Sequence, residues 1–133
     1  MTNNKLYKHF FIFFFLTIFL GCSKPDTSQL IDKALEAEHR TPSYIQRDKY
    51  RHPKETLLFF GLDPEQSIIE ITPGYGWYTE ILAPLVRNKG QYTYTSLKLH
   101  EKINPYFVKL ERAFKGKMEK NPDIYDQLRW VHF

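Results

Sequence analysis

One short segment narrows the folds open to this chain more than any other. Ile68, Ile69 and Ile71 form an apolar run of strand type, interrupted by Glu70. Thr72-Pro73-Gly74-Tyr75-Gly76 follows as a turn, and Trp77 to Val86 is an apolar, helix-compatible stretch. In parallel sheets a strand that passes through glycines into a helix brings backbone N–H groups up to a ligand. The spacing alone fits equally a strand-to-helix turn that binds nothing.

The flanking segments extend the pattern. Asn88-Lys89-Gly90 ends the helix, and Gln91 to Ser96 alternates Tyr92, Tyr94 and Ser96 against Thr93 and Thr95, as a strand does. Asn104 caps and Pro105 opens a helix to about Lys120, with Phe107, Leu110 and Phe114 along one face. Asp123 to Gln127 reads as a turn of helix and Arg129 to Phe133 as a last strand. Upstream, Leu30, Ile31, Ala34, Leu35 and Ala37 have helical spacing behind Thr27 or Ser28, which predicts a helix over 28–39. Thr41-Pro42 breaks it, and Ser43 to Tyr50 is a short helix or a turn. Pro53 opens a further helix that Gly61 closes. The expected class is α/β: N-terminal helices over 29–66, then a partial Rossmann-like parallel sheet of about three strands over 67–133.

The N-terminus carries a different signal. Lys5 and Lys8 precede Phe10–Leu20, a run apolar except for Thr17 and well short of the ~20 residues that span a bilayer. Gly21 and Cys22, the only cysteine, come next. The arrangement resembles a bacterial lipobox, which implies cleavage after residue 21 and lipidation of Cys22. An ordinary signal peptide cut near Gly21 and an uncleaved N-terminal anchor are the other readings. Residues 22–28 would be a polar tether. The lipoprotein reading places the protein in the cell envelope, lipid-anchored and facing the periplasm, and Ser23 resembles the residue of lipoproteins sent to the outer membrane. An acylated Cys22 leaves no thiol for a disulfide, a metal or catalysis. The net charge of +4 is too small, and the basic residues too scattered, for a nucleic-acid partner.

Glu70 to Gly76 resembles the first motif of Rossmann-type methyltransferases, and Glu70 to Pro84 (EITPGYGWYTEILAP) resembles a group of exported bacterial predicted methyltransferases. An upstream signature of that group is matched by Arg47-Asp48, Arg51-His52-Pro53, Glu55-Thr56-Leu57 and Phe60-Gly61-Leu62. The resemblance spans about residues 39 to 133. It implies a methyltransferase-type sheet and S-adenosylmethionine as cofactor, held at Glu70, Gly74, Tyr75 and Gly76, with Glu70 ordering the turn and the cofactor's amino group. It also implies a lid-like segment in which Arg47, Asp48, Arg51 and His52, with Trp77 and Tyr78 as pocket walls, meet a substrate or the cofactor. The methyl acceptor is not given by the residues.

Each position has a plainer role open to it. Arg47, Asp48 and Arg51 can pair across a helix face. His52 can be a cap or surface residue, and Trp77 and Tyr78 can be core. A carboxylate in an apolar strand needs a partner, which singles out Glu70. Thr72 stands where the resembled motif has its first glycine, and Tyr94 to Lys98 offers no acid for the ribose. The sequence stops near a third strand, whereas the resembled sheet is longer, so Arg129 to Phe133 is expected to be an exposed edge that a second chain could complete. Two functions follow as expectations: methyl transfer from S-adenosylmethionine, and a non-catalytic, membrane-anchored binding or structural module.

Overall fold

The computed structural model describes residues 26–98 and 103–132. The basic N-terminus, the apolar run and Cys22 lie outside the described residues, as do Glu101 and Phe133. Helix α1 spans Thr27–Leu35, and its cap is Asp26, whose side chain accepts the Ser28 N–H at 3.4 Å. The helix therefore starts at Thr27, one residue before the start that the sequence predicts. The helix also ends before residue 39. The buried Arg40 guanidinium takes the Leu35 carbonyl at 3.1 Å, so the chain turns and Ala37 falls in that turn.

Helix α2 covers Pro42–Arg51 and α3 covers Pro53–Phe59. His52 between them sits in the left-handed region (φ 46). Proline disfavours the α conformation in the residue before it, which breaks one helix into two. Helix α3 closes in a Schellman turn: Gly61 (φ 67) donates to the Leu58 carbonyl and Leu62 to the Leu57 carbonyl, both at 3.0 Å.

Strand β1 (Ser67–Glu70), helix α4 (Thr79–Val86), strand β2 (Gln91–Ser96), helices α5 (Pro105–Glu119) and α6 (Pro122–Tyr125), and strand β3 (Arg129–His132) follow. The strands form one parallel sheet in the order β1-β2-β3. Ser67 pairs with Gln91 and Glu70 with Tyr94, while Tyr94 pairs with Trp130 and Ser96 with His132. The α/β class and the partial, Rossmann-like parallel sheet are thus as the sequence predicts.

One face of the sheet carries the core. Tyr92, Tyr94 and Ser96 are buried against the helices with Ile31, Leu57, Ile81, Leu82, Val86, Phe114 and Met118. Helix α1 packs chiefly on α4, and Phe114 of α5 meets Tyr94 edge to face at 4.8 Å. The buried stripe of α5 is Glu111, Phe114 and Met118, not Phe107, Leu110 and Phe114. Glu111 already reaches Ser96, the last residue of β2, so the sheet offers nothing for the earlier turns to cover. On the opposite face Ile69 and Val131 are exposed, and so is the whole of β3, as expected of that edge.

Helix α4 contains Pro84, which has no N–H for the Glu80 carbonyl one turn back. His39 takes its place: its Nε2 lies 2.8 Å from that carbonyl, so Nε2 carries the proton. The His39 ring also stands edge-on to Tyr125 of α6. His39→Ala should cost about 2 kcal/mol, the penalty of a buried carbonyl left without a donor. In a Pro84→Ala background, where residue 84 regains its N–H, the same change should cost less than half as much. Urea denaturation of the four proteins checks this, and equal costs in both backgrounds would refute it.

Candidate functional site

The turn after β1 is built from three left-handed residues, Thr72 (φ 52), Gly74 (φ 62) and Gly76 (φ 86). Thr72 holds this strained conformation with its N–H on Thr95 Oγ1 of β2, at 2.7 Å. The two glycines serve different ends. A Cβ on Gly76 would stand 3.1 Å from the Phe114 ring, so glycine here lets α5 close over the turn. A Cβ on Gly74 would meet no atom within 4 Å, so this side of the turn is open. Helix α4 begins only at Thr79, which leaves Trp77 and Tyr78 in the turn rather than in the helix.

Glu70 ends β1 as the sequence suggests, and its carboxylate points into the helix-covered side. Its Oε2 accepts from Tyr92 Oη and from Thr79 Oγ1, the latter at 2.8 Å, and Tyr92 Oη lies 3.0 Å from Thr79 Oγ1. Burial pushes the Glu70 carboxyl above its ordinary pKa, and the two hydroxyl bonds pull it partly back. Burial together with the Glu70 charge pushes the Tyr92 phenol upward as well.

A second carboxylate, which the sequence reading passed over, organises the surroundings. Glu80 on α4 is fully buried. It accepts Thr41 N–H (2.9 Å), Thr41 Oγ1 (2.6 Å) and Lys117 Nζ of α5 (2.8 Å). Lys117 also donates to the Tyr75 carbonyl at 2.9 Å, and that carbonyl accepts Tyr44 Oη at 3.1 Å. The Lys117 ammonium lies 4.3 Å from the centroid of the Tyr44 ring. The glycine turn is therefore clamped from both sides, by α2 through Tyr44 and by α5 through Lys117.

The upstream residues divide. Asp48 turns away from the site and forms a two-pronged pair with Arg40, at 2.5 and 3.0 Å. Arg40 is buried, and its Nε is the single buried side-chain polar atom without a partner among the described residues. Arg51 does reach the turn, with its guanidinium 5.0 Å from the centroid of the Trp77 ring. Trp77 is core, 6% exposed, and donates Nε1–H to the Tyr44 carbonyl at 3.1 Å. Tyr78 stacks edge-on against it and is half-buried. Arg47 and His52 are exposed on and just after α2, and the His52 N–H donates to the Asp48 carbonyl. Cys22 lies outside the described residues.

At the tip of β2 the strand supplies Ser96 rather than an acid, as read from the sequence. A carboxylate nevertheless arrives there from α5. Ser96 Oγ donates to Glu111 Oε1 at 2.5 Å, and Lys115 pairs with the same oxygen at 3.1 Å. The described residues fit S-adenosylmethionine in part. Gly74 leaves open space, and the turn stands at the carboxyl ends of the strands, where such ligands bind. The space beside Gly76 is filled by Phe114, and the Glu70 and Glu111 carboxylates are taken by the chain's own donors. Among the described residues no group of three His, Cys, Asp or Glu is placed to hold a metal, and no helix is long and apolar enough to cross a membrane.

No protein-family model, no curated protein and no solved structure matches this chain.

Two measurements follow from the site. Between the ordinary carboxyl pKa and the raised one, the folded chain binds a proton at Glu70 that the unfolded chain has lost. Stability should therefore fall as pH rises through that window. Glu70→Gln should flatten this slope, as read by urea midpoints from about pH 4 to about pH 8. Lys117→Met strips the buried Glu80 charge of its cation while leaving the Thr41 bonds, and should cost about 3 kcal/mol by the same assay.

Proposed function

We propose that this is a membrane-anchored, methyltransferase-like protein of the cell envelope whose glycine turn binds S-adenosylmethionine. The observation that carries the reading is a left-handed glycine turn, open at Gly74, at the carboxyl ends of a parallel sheet and clamped by α2 and α5. Gly74 and the Tyr75 backbone would lie along the methionine part of the cofactor, with Glu70 behind the turn. Arg51 and Tyr78 would stand at the rim with the exposed Arg47 and His52. When bound, the cofactor supplies a methyl group to an acceptor, and the protein's part is to position the two.

A second reading is favoured by a specific observation. The Glu70 carboxylate and the Gly76 space are both filled from within the chain, as in a binding or structural module derived from a methyltransferase fold. In either reading the sheet face and the edges of β1 and β3 that the described residues leave uncovered are where a second chain would complete the fold.

Calorimetric titration of S-adenosylmethionine into the full chain in detergent separates the two. The paired control is Gly74→Asn, because asparagine tolerates a left-handed backbone and would project into the open space. Micromolar binding that the control weakens by about tenfold or more supports the cofactor site. A folded, monodisperse chain that gives no heat leaves the non-catalytic module.

A further inference from the structure

Phe59 and Phe60 are 84% and 76% exposed, the two most exposed large apolar side chains among the described residues. Their rings touch only edge to face, with centroids 5.5 Å apart. Helix α3 cannot roll to bury them, because its other side is fixed in the core through Pro53 and Leu57. The two hydrogen bonds of the Gly61 turn then hold the pair outward. A rigid, adjacent pair of phenylalanines in full contact with water has an unfavourable hydration cost that an apolar environment would remove.

The first described residues lie at this same end. Asp26, Thr27 and Leu30 line one concavity with Asp63, Pro64 and Glu65, which follow Gly61 and Leu62 directly. At full stretch Cys22 and Asp26 are at most ~14 Å apart. A chain held at the bilayer by Cys22, or by the apolar run before it, therefore keeps the Phe59–Phe60 end within reach of the lipid. A lipid anchor fixes the chain to the membrane at one point and leaves open which face of the domain turns to the bilayer, so a second apolar contact sets that orientation.

We propose that Phe59 and Phe60 form a wedge that inserts into the interfacial layer of the membrane and sets the orientation of the domain on it. The proposal rests on the membrane-anchored reading above. Insertion of this kind reaches ~5–10 Å, to the boundary of headgroups and acyl chains. The charged residues that follow the pair most directly, Asp63 and Glu65, are acidic. The partner is therefore a lipid surface engaged through apolar area rather than an anionic headgroup held by charge. In this pose the start of β1 faces the membrane. The glycine turn, at the opposite ends of the strands, faces away from it.

The test uses the full chain reconstituted into vesicles of phosphatidylethanolamine and phosphatidylglycerol that contain doxyl-labelled lipid. Tryptophan reporters are placed by Phe60→Trp and, at the start of α5 beyond the carboxyl ends of the strands, by Tyr106→Trp. The unsubstituted chain, with Trp77 and Trp130, gives the background. Flotation of the same samples reads anchoring separately. The expected result is co-flotation, with the fluorescence added at position 60 quenched about twofold or more beyond that at 106. A chain that floats with equal quenching at both positions overturns the wedge and leaves the anchor standing. A chain that does not float overturns the anchored reading and the wedge with it. If position 60 escapes the quencher and its emission shifts only with protein concentration, the pair belongs to a contact between copies and the wedge is overturned.

Discussion

The structure depends on a charge placed where charges are costly. Glu80 lies within an apolar helix, fully buried, and an isolated carboxylate there would destabilise the fold by several kcal/mol. Its side chain is matched by the Thr41 backbone, the Thr41 hydroxyl and the Lys117 ammonium. Its own carbonyl, deprived of a helical donor by Pro84, is matched by His39. One residue thereby joins the N-terminal helices, the helix after the glycine turn and the helix after β2. Because Lys117 also holds the Tyr75 carbonyl, the conformation of the turn is tied to the same network.

Much of this architecture could be read from the residues alone, for identifiable reasons. The alternation of Tyr92, Tyr94 and Ser96 with Thr93 and Thr95 is an uninterrupted period of two, and β2 runs over Gln91–Ser96. Asn104-Pro105 places the start of α5 because both a cap side chain and a fixed φ act locally. The misreadings come from contacts distant in sequence. Arg40 ends α1 early by reaching back to Leu35, and the face that α5 buries is set by where β2 stops. Neither is encoded in the spacing of apolar residues.

The site was legible unevenly. Glu70 stood out because a carboxylate interrupted isoleucines, and its burial against Tyr92 and Thr79 fits that reasoning. The same reasoning applied to Glu80, among Thr79, Ile81, Leu82 and Ala83, would have marked it too; the apolar helix drew attention to packing instead. Lys117 and Tyr44 carry no local signal. They matter because folding brings α5 and α2 to one carbonyl. Asp48 looked like part of a ligand-facing set with its neighbours, but the guanidinium of Arg40 is the better partner, planar and two-pronged.

A parallel sheet is ordinarily covered on both faces. Among the described residues only the face of Tyr92, Tyr94 and Ser96 is covered, while Ile69 and Val131 are exposed on the other. That asymmetry puts nearly all the tertiary stabilisation on one side, in the seam where Glu80 sits. The seam has a consequence for how the chain is made. Thr41 and Lys117, which meet on one carboxylate, are separated by most of the described sequence. During synthesis residues 26–52 emerge before α5, and until α5 follows, the Glu80 carboxylate against which Thr41 docks lacks its Lys117 cation. The seam that joins the N-terminal helices to the sheet layer is therefore complete only once the helix after β2 has been added.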